Sequence, residues 1–112
     1  LPTLDELVGT DDMSPENVHL HLLRLTEPAA PRARKRDHVF TLHAELEGMK
    51  LLPQFEQLLS GWRAQGYQLT GTREVFESLD IEALPRHEVV YGEVPGRSGT
   101  LMLQGEEFLK SL

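Results

Sequence analysis

Residues 51–66, LLPQFEQLLSGWRAQG, constrain the fold of this chain more than any other stretch. Apolar residues recur there every three or four positions, as on one face of an α-helix; they are Leu52, Phe55, Leu59 and Trp62. Gly66 follows at the place where a residue in the left-handed conformation commonly ends a helix. The pattern predicts a helix packed on a core, with Trp62 in that core rather than in a ligand site.

A second helix is predicted over residues 13–27, MSPENVHLHLLRLTE. Ser14 suits its N-cap and Pro15 its first helical position. His19 and His21 would share one face of a strand and could bind zinc there. On a helix they point about 200° apart, so we expect no metal site at this pair.

Short runs that favour strands lie between and after these helices. The clearest is residues 38–42, HVFTL, and the others are residues 67–70, 89–91 and 101–103. Residues 73–79 predict a further short helix, and residues 95–99, PGRSG, predict a turn. Alternating helices and strands are typical of an α/β protein with a parallel sheet, which is the fold class that we predict.

His43 directly follows the predicted strand at 38–42, and Glu45 and Glu47 come next. In parallel α/β folds the carboxyl ends of the strands carry the active site. An imidazole at that edge suits general acid or base work near neutral pH, and the carboxylates could orient it. The spacing alone leaves two interpretations open, a catalytic histidine or the solvated end of a strand.

The charge balance excludes one class of partner. The 112 residues carry a formal net charge of −7, whereas a nucleic-acid module would show a basic face. A loop is predicted over residues 28–38, and its basic run PAAPRARKR could meet a phosphate or an anionic membrane surface. A solvated loop is the simpler interpretation. No stretch approaches the roughly 20 apolar residues needed to span a bilayer, and the absence of cysteine excludes disulfides.

Several stretches, taken in order, resemble the C-terminal part of polysaccharide-deacetylase (NodB-like) enzymes. They are LPTLDELVG, HVFTLHAELEG, the helix containing FEQLL and AQGY, and GEVPGRSGTLMLQ. The resemblance covers nearly all of residues 1–112, and the ordered set carries it more than any single motif. It implies that this chain is the C-terminal segment of a catalytic domain folded as a distorted, incomplete β/α barrel.

The resemblance also implies an activity. Enzymes of this family use a divalent metal ion to hydrolyse acyl groups from amino sugars, and a histidine in a late-strand leucine–histidine motif serves as the acid. That motif matches Leu42–His43, so His43 would protonate the departing amine, with Glu45 in support. Arg97 matches an arginine of the family's tail and would bind substrate. The expected substrate is an amino-sugar lipid or glycan, for which a formamido-arabinose undecaprenyl lipid is the leading candidate.

The family's metal ligands and base belong to its N-terminal part, and this chain has no match to them. We therefore expect a divalent metal ion in the full-length enzyme, with ligands outside this chain, and an inactive fragment here. The full enzyme would be cytoplasmic, at the inner face of the cytoplasmic membrane. The chain opens without methionine, as a piece of a longer protein would, and missing strands would favour self-association. The alternative is a non-catalytic α/β binding or assembly module.

Overall fold

The computed structural model describes residues 1–30 and 36–109, which form two compact units, Leu1–Leu69 and the residues from Thr70 onward. The basic part of the predicted loop, residues 31–35, lies outside the described residues. Most of the apolar core belongs to the first unit, because every fully buried hydrophobic side chain of the described ranges is found there.

The first unit is built from helices. They are α1 (Leu4–Leu7), α2 (Val18–Leu25), a π-helical turn (Leu46–Lys50) and α3 (Leu52–Ala64). Helix α2 packs on α3, and α1 packs on α2. The buried apolar residues are Leu4, Leu7, Val18, Leu22, Leu51, Leu58 and Trp62. The helix predicted for residues 51–66 is therefore confirmed, and Trp62 lies in the core as expected. Its predicted apolar face is only partly right, because Leu52 is exposed while Leu51 and Leu58 are buried.

Thr26 joins the end of α2 to α3 through its hydroxyl group. The Thr26 side chain is buried, and its Oγ1 accepts a hydrogen bond from the indole Nε1 of Trp62 at 3.1 Å. Gln65 Oε1 lies 2.8 Å from the same hydroxyl, and Gln65 Nε2 donates to the main-chain oxygen of Leu23 at 2.7 Å. Tyr67 adds a phenol donor to the Thr26 carbonyl at 2.6 Å. These bonds satisfy polar groups that burial would otherwise leave without partners.

Helix α2 is shorter than predicted at its start. Its N-cap is Asn17 rather than Ser14, because residues 14–17 form a separate turn. In that turn Asn17 Oδ1 accepts the main-chain N–H of Ser14 at 2.8 Å. His19 is buried and His21 is half-buried on this helix, and no group of three metal-ligating side chains occurs anywhere in the described ranges.

The strand predicted at residues 38–42 does not form in this structure. A strand needs a neighbour with which to exchange ladder hydrogen bonds, and the described residues of the first unit contain no strand. Phe40 alone turns inward and meets Trp62 edge to face at 5.5 Å, whereas Val39 and Leu42 are exposed. Residues 67–70 are likewise in no strand, although Gly66 before them has the expected left-handed backbone, with φ 86°.

The second unit carries a β-hairpin. It begins with α4 (Thr72–Ser78) and a 3-10 turn (Ile81–Ala83), followed by β1 (Arg86–Gly92) and β2 (Leu101–Phe108). The two strands pair antiparallel, with Val90 opposite Leu103 and a bulge between His87 and Val89. The strands predicted at 89–91 and 101–103 and the turn at 95–99 are confirmed. The sheet among the described residues is thus antiparallel rather than parallel, and the barrel stays a prediction.

Apolar side chains of the second unit are largely exposed. No residue of α4 is buried, and Phe76, which the helical pattern places inward, is 62% exposed. In the hairpin, Tyr91 and Met102 are 78% and 70% exposed. No helix among the described residues is long and apolar enough to cross a membrane.

Candidate functional site

His43 stands where the extended residues 39–42 meet the first helical turn of the next segment. Its main-chain oxygen accepts hydrogen bonds from the N–H groups of Leu46 and Glu47, both at 3.0 Å. His43 is therefore the cap of that turn, so its backbone direction is set by the helix that follows. The predicted position, just after an extended apolar run, is retained although the run forms no strand.

Asp5 faces the imidazole of His43 from α1. The distance between Asp5 Oδ1 and His43 Nδ1 is 3.8 Å, which suits an ion pair but exceeds a hydrogen bond. Nδ1 is buried and has no hydrogen-bond partner within the described ranges, while the His43 side chain as a whole is 35% exposed. The exposed part of the ring is therefore the side away from Nδ1. Nε2 is the nitrogen left to meet another molecule.

Glu47 is the buried acid of the site. Its side chain has no exposed surface, which is rare for a glutamate unless it is paired. Oε2 accepts the main-chain N–H of His43 at 2.7 Å, while Oε1 has no hydrogen bond with any residue that the structure describes. Glu47 thus holds the peptide groups on both sides of the His43 α-carbon. Its main-chain N–H binds the His43 oxygen, and its carboxylate binds the His43 N–H.

The turn that carries Glu47 is π-helical. Leu46–Lys50 closes with a hydrogen bond from the Leu51 N–H to the Leu46 oxygen at 2.7 Å. Leu51 is buried in the core, so this wide turn is attached to the packed part of the unit. Single π-helical turns are rare and are frequent at functional sites.

Glu45 and Arg97 were also predicted for the site, and each is described in its own unit. The Glu45 side chain is exposed and makes no hydrogen bond or ion pair within residues 1–30 and 36–109. Arg97 belongs to the second unit, in the turn between β1 and β2, where its N–H donates to the Val94 oxygen at 3.0 Å. The roles expected of both residues stay predictions.

Sequence reasoning did not single out Asp5. The sequence signal that points to its surroundings is the spacing of Thr3 and Glu6, which matches the capping box at the start of a helix. In the structure Glu6 Oε2 accepts the Thr3 N–H at 3.0 Å, and Thr3 Oγ1 donates to Asp5 Oδ1 at 2.5 Å. The box predicts a short helix at residues 4–7 and hence a rigid support for Asp5, although it does not predict that His43 lies opposite.

The divalent metal ion that the resemblance implies does not fit the described residues. No three side chains of histidine, aspartate or glutamate converge there, and His43 has a single carboxylate within ion-pair distance. Residues 31–35 and 110–112 contain none of these residue types. The candidate site thus contains one imidazole, that of His43, and two acids beside it, Asp5 and Glu47. Such a set is suited to moving a proton.

Comparison with known proteins finds relatives of this chain. No protein-family model matches the chain, and no solved structure matches it. Curated proteins do match it, and two of them bear the name "Probable 4-deoxy-4-formamido-L-arabinose-phosphoundecaprenol deformylase ArnD". The protein of Shewanella sediminis is 32% identical over 93% of this chain, and that of Wigglesworthia glossinidia brevipalpis is 26% identical over the same share.

The chain is a relative of a segment of these deformylases. It spans about a third of their length, 32% and 34% respectively. The predicted resemblance is confirmed for the ArnD deformylases, and the matching 104 residues include at least part of the unit that holds His43.

Proposed function

We propose that this chain supplies the proton donor of a hydrolase that removes a formyl group from a formamido sugar carried on an undecaprenyl lipid. The observation that carries the proposal is the placement of His43. Its buried Nδ1 faces Asp5 at 3.8 Å, while the side chain as a whole is 35% exposed. The ArnD names of the relatives supply the substrate class, and an acetyl group on the same nitrogen is the nearest variant.

The proton is needed at one bond. Water adds to the formyl carbon, and the carbon–nitrogen bond then breaks to give formate and the free amine. An amine leaves as a neutral molecule only if its nitrogen gains a proton as that bond breaks. A protonated His43 would give that proton from Nε2, while the Asp5 carboxylate, 3.8 Å from Nδ1, would help to orient the ring. A positioned acid of this kind contributes typically 10²–10⁴-fold to the rate.

The remaining parts of such an active site are outside what this chain offers. A divalent metal ion would supply an activated water, and the residues that the structure describes do not provide its ligands. The proposal therefore assigns proton donation alone to this chain. Glu45 is retained as a proposed supporting residue and Arg97 as a proposed substrate contact, each on the resemblance alone.

The proposed setting follows from the substrate. An undecaprenyl lipid is held in a membrane, and modification of lipid A with an amino-arabinose would place the enzyme at the cytoplasmic face of the inner membrane. The basic run at 28–36 would face anionic headgroups there. Flotation of the protein with vesicles containing phosphatidylglycerol, compared with vesicles of phosphatidylcholine alone, tests this setting.

The test of the function is formate release from 4-deoxy-4-formamido-L-arabinose-phosphoundecaprenol by the intact protein that carries this chain. His43→Gln should lower kcat by roughly 10²-fold or more, while metal content stays unchanged. His38→Gln is the matched control, because His38 is an exposed histidine of the same segment. Equal turnover of the two variants would overturn the proposal in favour of a non-catalytic module.

A further inference from the structure

Glu47 poses a question that proton donation by His43 leaves unanswered. Its side chain has no exposed surface, yet a carboxylate removed from water is costly unless it is paired and hydrogen-bonded. The structure gives it one hydrogen bond, from the His43 N–H at 2.7 Å. An apolar residue at position 47 would fill the same space without that cost. The acid therefore needs a reason to be there.

The hydrogen bond itself gives the reason. Residues 39–42 have no strand ladder to direct the chain into His43. Phe40 packs on Trp62 and the Val39 oxygen accepts the Leu1 amino group, and the His43 N–H is where Glu47 fixes the chain directly at the histidine. Charge-assisted bonds from a main-chain N–H to a carboxylate are short and about twice as strong as neutral ones. With its oxygen bound by the Leu46 and Glu47 N–H groups, the His43 main chain is held on both sides.

The same device occurs on the opposite side of the pair. Glu6, which is 8% exposed, accepts the Thr3 N–H at 3.0 Å and so fixes the start of the four-residue helix that carries Asp5. His43 and Asp5 are 38 residues apart in sequence; Asp5 lies within a turn closed by buried Glu6, and His43 lies at the start of a turn closed by buried Glu47. Because the arrangement occurs twice, it favours a role for Glu6 and Glu47 in fixing the distance between Asp5 and His43.

We infer that Glu47 is a positioning residue, which holds the His43 main chain so that the imidazole stays against Asp5 with Nε2 directed outward. The inference rests on the proposed function of His43 as proton donor. Glu47 touches no substrate in this arrangement and acts only through His43. Misplacement of a reacting group by about 1 Å can cost on the order of 10²-fold in rate, so loss of the bond should be felt in kcat rather than in KM.

The activity experiment is a double-mutant cycle in the intact protein, followed by formate release. Glu47→Ala should lower kcat at least tenfold with KM unchanged, and Glu47→Gln, which keeps an oxygen acceptor for the His43 N–H, should recover most of that loss. Glu56→Ala, an exposed glutamate of α3, is the matched control. In a His43→Gln background Glu47→Ala should cause little further loss, because residues that act as a unit are not additive.

A second measurement uses the 112-residue chain alone and needs no activity. The amide proton of His43 should exchange slowly with solvent in the unmodified chain and in Glu47→Gln, and rapidly in Glu47→Ala. Rapid exchange in the unmodified chain would overturn the inference even if a variant failed to fold. An equal loss from Glu47→Ala in both backgrounds, or no more loss than from Glu56→Ala, would also overturn it. If His43→Gln alone left kcat unchanged, the proposed function would fail, whereas the exchange result would still test the bond.

Discussion

Asp5 and His43 lie 38 residues apart in sequence and face each other at 3.8 Å in the structure, with Oδ1 of the aspartate directed at Nδ1 of the histidine. The helix that carries Asp5 and the turn that carries His43 belong to one packed unit. The unit thus brings together an acid and an imidazole that the local sequence patterns treat separately.

Asp5→Asn removes the negative charge that faces the His43 ring while keeping the shape of the side chain. Because both side chains are more than a third exposed, solvent weakens their attraction to about 1 kcal/mol. We expect kcat for formate release to fall roughly fivefold with KM unchanged. Asp12→Asn, an exposed aspartate of the same unit, should leave kcat unchanged. Identical kinetics for the two variants would show that the Asp5 charge plays no part.

Thr26→Val tests the junction between α2 and α3. The substitution preserves the shape of the buried side chain but leaves the indole N–H of Trp62 without its acceptor. An unsatisfied buried donor costs about 1–3 kcal/mol, so the free energy of unfolding measured in urea should fall by that amount. Thr26→Ser keeps the hydroxyl and serves as the control. A loss as large for the serine variant would assign the effect to the methyl group.

Gly66→Ala tests the end of α3. Gly66 has φ 86°, in the left-handed region that is costly for a residue with a Cβ atom. We expect the unfolding free energy to fall by about 1 kcal/mol. Gly48→Ala is the comparison, because a Cβ atom there meets nothing within 4 Å and the backbone is not left-handed. A greater loss at position 48 than at position 66 would contradict this view of the two glycines.

Glu16 gives a prediction about pH. Hydrogen bonds from the Ser14 side chain and then from its own main chain hold the pKa of the Glu16 carboxyl below its ordinary value. A lowered pKa in the folded state stabilises the fold above the unfolded-state pKa, and this contribution is lost as the pH falls through the folded-state pKa. In Ser14→Ala an NMR titration should show the pKa of Glu16 moving upward, and Ser60→Ala should leave it in place. An unchanged pKa in Ser14→Ala would remove the hydroxyl as the main cause.

The helices and turns that were predicted correctly from the sequence depend on residues close together along the chain. The periodicity of residues 51–66 produced α3 within two residues of its ends, and the turn residues at 95–99 produced the hairpin, because both patterns act over neighbouring positions. The strands predicted at 38–42 and 67–70 did not form, because pairing depends on a partner strand elsewhere in the chain.

The site divides in the same way. The position of His43 after an apolar run could be predicted from its neighbours, and so could the family resemblance. The approach of Asp5 could not, since it depends on how α1 packs against the rest of the first unit. Glu47 was visible as an acid but not as a buried one, because its burial arises from the π-helical turn, which has no recognised sequence pattern.

The central claim is that His43 gives a proton to the leaving amine. The most direct test changes the leaving atom from nitrogen to oxygen. The measurement compares the formamido sugar lipid with its analogue in which a formate ester replaces the formamide at the same carbon. An alkoxide leaves far more readily without a proton than an amine nitrogen does. His43→Gln should therefore lower kcat/KM for the formamide by roughly 10²-fold or more but lower that for the ester only a few-fold. An equal loss for both substrates would contradict proton donation by His43.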